Sequence, residues 1–178
     1  MIVLRLVFFV TALSALAACG GEGSGLPPLR IALFGDSTQA GIVDASTHAL
    51  AVPTGTQVLQ GMFDDKCGGG GGVVVVENYG EAEAVATSLG DLRGADITLE
   101  NFGVNDRRLG ASIVRAVAAE KGAVLIDVDA YVLTVPGWQA MQPDGTHPSA
   151  ELYGLIARNA VYPALAPLVR KIRPECKA

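Results

Sequence analysis

Nucleophilic catalysis by a hydroxyl needs an exposed serine, an imidazole to take its proton and a carboxylate to orient that imidazole. Ser37 follows Gly35-Asp36 at the end of the apolar run Leu29-Arg30-Ile31-Ala32-Leu33-Phe34. A buried parallel strand reads this way. The turn after it exposes a hydroxyl at the carboxyl end of a sheet, where open α/β folds place their ligands. With 2 histidines in the chain, the base is His48 or His147. His48 lies in an ambiguous polar stretch, and Asp44 before it would serve as orienter only if that stretch were helical. His147 has Asp144 three residues before it and Pro148 after it. That spacing lets one turn hold the ring and stabilise the imidazolium. Ser37, His147 and Asp144 are therefore expected as nucleophile, base and orienter, and Asp36 as a turn-stabilising residue.

The elements that must position these groups alternate. After the strand at Leu29, a helix is expected from Ser37 to Ile42, with Gly41 weakening it. Asp44 to Gly55 reads as a loop broken by Pro53, and Val58 to Asp65 as a short amphipathic helix. The glycine run Gly68 to Gly72 precedes a strand and lacks a following Lys-Ser/Thr, so it is a connection and not a phosphate loop. Val73 to Asn78 and Asp96 to Phe102 read as the second and third strands. Glu81 to Leu89 reads as a helix with an acidic first turn. Leu109 to Lys121 reads as a helix stopped by Gly122, followed by a fourth strand at Val124 to Val128. A last helix is expected from Ser149 to about Val161, bent or interrupted by Pro163 and Pro167. Such alternation means a parallel sheet with right-handed crossovers.

Four loops carry Gly35-Asp36-Ser37, Gly80, Gly103-Val104-Asn105-Asp106 and Asp144-Gly145-Thr146-His147 in that order. Jointly they resemble the SGNH (GDSL-type) hydrolase family, whose blocks contribute Ser, Gly, Asn and His in this sequence. The resemblance spans Phe34 to His147. It implies a three-layer α/β/α, flavodoxin-like fold and an oxyanion hole made by the backbone N–H groups of Ser37 and Gly80 with the side-chain amide of Asn105. It also implies a serine esterase that hydrolyses short-chain acyl or acetyl esters through an acyl-serine intermediate, without metal or cofactor. The family builds five strands; here about four are legible, so one strand–helix unit is missing. Glu81 and Glu83, next to Gly80, would oppose an oxyanion if they pointed inward. The alternative expectation is a non-catalytic envelope lipoprotein that keeps a truncated hydrolase scaffold for carbohydrate or partner binding. Tyr131 and Trp138 are candidates to wall an acyl pocket, with core packing as the competing role.

Composition bounds the rest. The 178 residues suit one domain; half are hydrophobic, 17% are charged and the net charge is −5 with no basic run. That excludes global disorder and a phosphate-tracking nucleic-acid face. Leu6 to Ala18 is apolar but too short for a bilayer span. It ends Leu16-Ala17-Ala18-Cys19, which resembles a bacterial lipobox. The resemblance implies a signal peptide at 1–18, lipid attachment at Cys19 and anchoring in the cell envelope. Residues 19–28 then form a flexible tether, and 29–178 the hydrolase-like domain. A monomer is expected, with a small-molecule or O-acylated carbohydrate ester as substrate. Whether the remaining cysteines, Cys67 and Cys176, pair is left open by the sequence.

Overall fold

The computed structural model describes residues 6–7, 26–67, 72–84, 91–101, 119–120 and 122–177. In chain order its elements are β1 (Leu6–Val7), β2 (Leu29–Gly35), α1 (Ser37–Ala40), β3 (Ile42–Asp44), β4 (Ala49–Leu50), α2 (Gly55–Lys66), β5 (Val74–Gly80), β6 (Ile97–Asn101), β7 (Leu125–Ile126), α3 (Val128–Val132), a 3-10 turn (Trp138–Met141), α4 (Ala150–Ile156), a π turn (Ala157–Val161) and α5 (Tyr162–Ile172).

The molecule is mixed α/β, organised on β2. This strand pairs in parallel with β5 along its whole length and with β6 from Ile31 to Gly35. Its apolar run is buried because both faces are covered, as parallel strands require. Leu29, Ile31 and Leu33 face a core that includes Leu59 and Phe63 of α2, Leu152 of α4, and Leu165 and Val169 of α5. Ala32, Phe34, Thr98 and Glu100 are buried on the opposite face. Arg30 is accommodated at the strand's start by its Nε and Nη2, which both donate to Glu77 Oε2 (3.0 and 2.6 Å), and by a bond from Nη1 to the Arg93 carbonyl.

The full sheet has the order β5-β2-β6-β1-β7. Only β5, β2 and β6 form the parallel core. The fourth strand expected at Val124 to Val128 shrinks to Leu125–Ile126, because the Asp127 carboxylate accepts the Ala130 N–H and starts α3 at Val128. A side-chain cap competes with strand continuation and wins here. Among the described residues β7 pairs only with β1, antiparallel, and β1 in turn meets β6 at Glu100. The place beside β6 is thus held by the N-terminal Leu6–Val7.

Three further expectations are corrected. The stretch from Asp44 to Gly55 is not merely loop: β3 and β4 form a short antiparallel hairpin. Helix α2 starts earlier than its apolar spacing suggests, at Gly55, because Thr54 and Gln57 form a reciprocal capping box. Glu81 to Ala84 is turn rather than helix, with Glu83 at a positive φ of 65°. The C-terminal helix is interrupted as expected, by a π turn immediately ahead of Pro163; Pro167 is carried inside α5. Proline cannot donate to the preceding turn, and a π turn is one way to absorb that loss.

Candidate active site

Helix α1 presents the candidate nucleophile, Ser37. Asp36 is fully buried and caps the helix, its carboxylate accepting the Thr38 N–H at 3.0 Å and the Thr38 hydroxyl at 2.7 Å. Gly41, at φ +87°, ends the helix after one turn. A left-handed residue suits glycine and lets the chain leave at once into β3. Two glycines let α1 sit tight on the sheet. A Cβ on Gly35 would stand 2.5 Å from the Gln39 Cβ of α1 and 2.3 Å from the Asn101 carbonyl oxygen of β6, and one on Gly80 would stand 2.4 Å from the Ala40 nitrogen. Ser37 is therefore held at the carboxyl end of the central strand, as its position after Gly35-Asp36 suggests.

The candidate base, His147, arrives from the loop before α4. Ser37 Oγ lies 2.9 Å from His147 Nε2, and His147 Nδ1 lies 2.6 Å from Asp144 Oδ2. An ionised carboxylate can only accept, so in a neutral imidazole that faces it Nδ1 carries the proton and Nε2 is free to accept from the serine. Asp144 Oδ1 accepts the backbone N–H groups of Thr146 (2.9 Å) and His147 (2.7 Å), and Oδ2 accepts that of Ala45 (3.3 Å). Partial burial pushes the Asp144 carboxyl up, but the His147 and Thr146 N–H groups outweigh it. The carboxyl is held well below its ordinary range. Pro148 and the cap on α4, where Ser149 Oγ accepts the Leu152 N–H at 3.3 Å, fix the loop's exit. His147 is buried; His48 is exposed on the β3–β4 turn at φ +54°. Of the two histidines, His147 is the one brought to Ser37.

The groups that the resemblance assigns to an oxyanion are placed less uniformly. Among the described residues none accepts the Ser37 N–H at the head of α1. The Gly80 N–H donates to Asn78 Oδ1 at 3.0 Å. It is therefore turned to a side chain two residues back, and the glycine's evident work is its close approach to α1. Asn105 and Cys19 lie outside the described residues. Glu81 and Glu83 are exposed, so neither carboxylate is driven into the site.

Tyr131 and Trp138 pack partly buried against the core, with the Tyr131 hydroxyl accepting from Asn159 Nδ2. Neither lines the largely apolar cavity behind α1, whose walls include Thr38, Gly55, Leu59, Leu99, Asn101 and Tyr153. Ser37 and His147 do not line it either. Sequence reading missed two supports of this site. One is the Tyr153 hydroxyl, which donates to the Ile42 carbonyl at 2.9 Å across the same seam as the Ser37–His147 pair. The other is the contact of Ala45 with Asp144. Neither has a motif; only the fold brings their partners together.

Among the described residues no group of histidine, cysteine and acidic side chains could hold a metal ion. Cys67 and Cys176 form a disulfide that ties the end of α2 to the C-terminal tail. Beside it the Lys177 N–H donates to the Lys66 carbonyl at 2.8 Å. Comparison with protein-family models, with curated proteins and with solved structures finds no match to this chain.

Proposed function

We propose that this chain is a serine hydrolase of the SGNH (GDSL) type that cleaves carboxylic esters of short acyl groups. The observation that carries the reading is the continuous relay from Ser37 Oγ to His147 Nε2 and from His147 Nδ1 to Asp144 Oδ2. In the proposed reaction Ser37 Oγ attacks the ester carbonyl carbon while His147 Nε2 takes its proton. Asp144 holds the ring and stabilises the imidazolium. The tetrahedral intermediate collapses as His147 returns the proton to the departing alcohol, leaving acyl-Ser37. Water then attacks through the same base and frees the acid. The oxyanion falls to the Ser37 N–H, with Asn105 assigned by resemblance. Gly80 joins only if Asn78 turns its amide oxygen away.

The order of the parallel strands, with the first flanked by the second and third, also supports the flavodoxin-like reading of the fold. The Cys67–Cys176 disulfide supports export to an oxidising compartment. This suits a lipoprotein anchored through Cys19 in a bacterial envelope, acting on a small or O-acylated carbohydrate ester. Processing before Cys19 would remove Leu6–Val7 from between β6 and β7. That open place favours the second reading, a non-catalytic lipoprotein using the scaffold for binding.

Hydrolysis of p-nitrophenyl acetate tests the first reading. Turnover is expected for the wild type and its loss for Ser37→Ala; equal rates would overturn the assignment. Labelling by a fluorophosphonate separates the two readings, because only an activated serine reacts. Mass spectrometry of the exported protein's N-terminus tests for lipidated Cys19.

A further inference from the structure

The Asp144 carboxylate has two kinds of support. The Thr146 and His147 N–H groups belong to its own loop, so they set its shape but not its place in the molecule. Among the described residues the one backbone donor to Asp144 from elsewhere is the Ala45 N–H, 99 residues away. Ala45 opens the turn of the β3–β4 hairpin, and that hairpin leaves α1 directly at Gly41. The segment that carries the nucleophile therefore also reaches over to hold the base's orienter. It is pinned at its root as well, where the Tyr153 hydroxyl donates to Ile42 and the Ala51 N–H to the Gly41 carbonyl at 2.8 Å.

What aims the Ala45 N–H is the side chain before it. Asp44 Oδ1 accepts the Ser46 N–H at 2.8 Å, the Ser46 hydroxyl at 2.6 Å and the Thr47 N–H at 3.4 Å. One oxygen gathers the following two residues into an Asx turn and leaves the Ala45 N–H pointing away from the turn, toward Asp144.

We infer that the β3–β4 hairpin is a positioning element for the catalytic carboxylate, with Asp44 the residue that sets it. The inference rests on the hydrolase reading. Asp44 touches neither Ser37 nor His147, and acts through Ala45 on Asp144 and through Asp144 on the imidazole. Loss of the turn lets Asp144 Oδ2 and the ring drift together, which lowers the rate of acyl transfer without changing how substrate is held. Small misplacements of a catalytic group cost from tenfold upward.

The experiment compares the wild type with Asp44→Ala, Asp44→Asn and Ser37→Ala, in p-nitrophenyl acetate hydrolysis and in the rate of fluorophosphonate labelling. Both Asp44 variants remove the negative charge, but asparagine keeps an oxygen that accepts all three bonds. Asp44→Ala is expected to lower kcat and the labelling rate about tenfold with KM unchanged. Asp44→Asn should recover most of both. Thermal melts of the two variants are expected to stay close to wild type, since the turn is exposed. Wild-type rates in Asp44→Ala would overturn the inference alone, and so would equal losses in both variants, which would indicate a charge effect. Labelling of the wild type no faster than Ser37→Ala would instead overturn the hydrolase reading, and this inference with it.

Discussion

Ser37 Oγ and His147 Nε2 stand 2.9 Å apart although 110 residues separate them, and both side chains are buried. The seam they bridge is crossed twice more, by Ala45 to Asp144 and by Tyr153 to Ile42. The hydroxyl and the imidazole are thus held by a framework independent of their own bond. Such preorganisation is what a relay needs before substrate arrives.

Asp144→Asn should spare the fold and lower kcat by about a thousandfold or more, because an amide can present its N–H to the imidazole and select the wrong tautomer. The folded carboxyl is held below its ordinary value, so its contribution to stability is in place above about pH 4. That contribution is lost as pH falls through the folded value. Above pH 5 Asp144 stays ionised, and the acidic limb of the kcat/KM profile should not report it. Equal kcat in the wild type and Asp144→Asn would remove the aspartate from the relay.

Gly80→Ala tests close approach against oxyanion donation. The new Cβ would stand 2.4 Å from the Ala40 nitrogen, 2.7 Å from the Gln39 carbonyl carbon and 2.9 Å from the Ala40 Cα. All three are backbone atoms of α1, so relief requires moving the helix that carries Ser37. A stability loss of about 1–3 kcal/mol, read from the urea midpoint, should accompany the loss of activity. An oxyanion role alone would leave the midpoint unchanged, since alanine keeps the N–H.

These residues show what the chain discloses before it folds. The β2 run and the Asp144-to-His147 spacing are local patterns, and both lead to atoms that the fold brings together. The Thr54–Gln57 capping box is local too and marks the start of α2 better than apolar spacing does. The β3–β4 hairpin is hidden because its strands are short, partly exposed and without alternation; the Asx turn at Asp44 and contacts from α4 hold it. Gly80 shows the other limit. A glycine after a strand signals that something comes close, but not whether that is a substrate or the backbone of α1. The shortened β7 follows from Asp127, whose cap is a local competitor within a run that reads as strand.

The Cys67–Cys176 bridge closes a loop with a sequence separation of 109. Cross-linking at that span restricts the unfolded chain most, and the expected stabilisation is about 4–5 kcal/mol. Reduction, or Cys67→Ser, should lower the guanidinium midpoint accordingly. The tail near Lys177 should become cleavable by proteases while the β2–β5–β6 core persists. An unchanged midpoint after complete reduction would show that α2 and the tail are held by packing alone.

Glu100 gives the protein a pH dependence that runs opposite to that of Asp144. In the chain that keeps Leu6–Val7 beside it, its carboxyl is buried on β6 and burial raises it to about 7. Since the folded value exceeds the unfolded one, the native state binds the proton more tightly. Stability from this group is full below about pH 4.5 and is lost as pH rises toward 7. The span corresponds to a loss on the order of 3 kcal/mol. Glu100→Gln keeps the shape and removes the titration, so its urea midpoint should hold steady from pH 5 to 8 while that of the wild type falls. At pH 8 the variant should be the more stable protein. Parallel curves for the two would mean that Glu100 reaches solvent or a cation when it ionises.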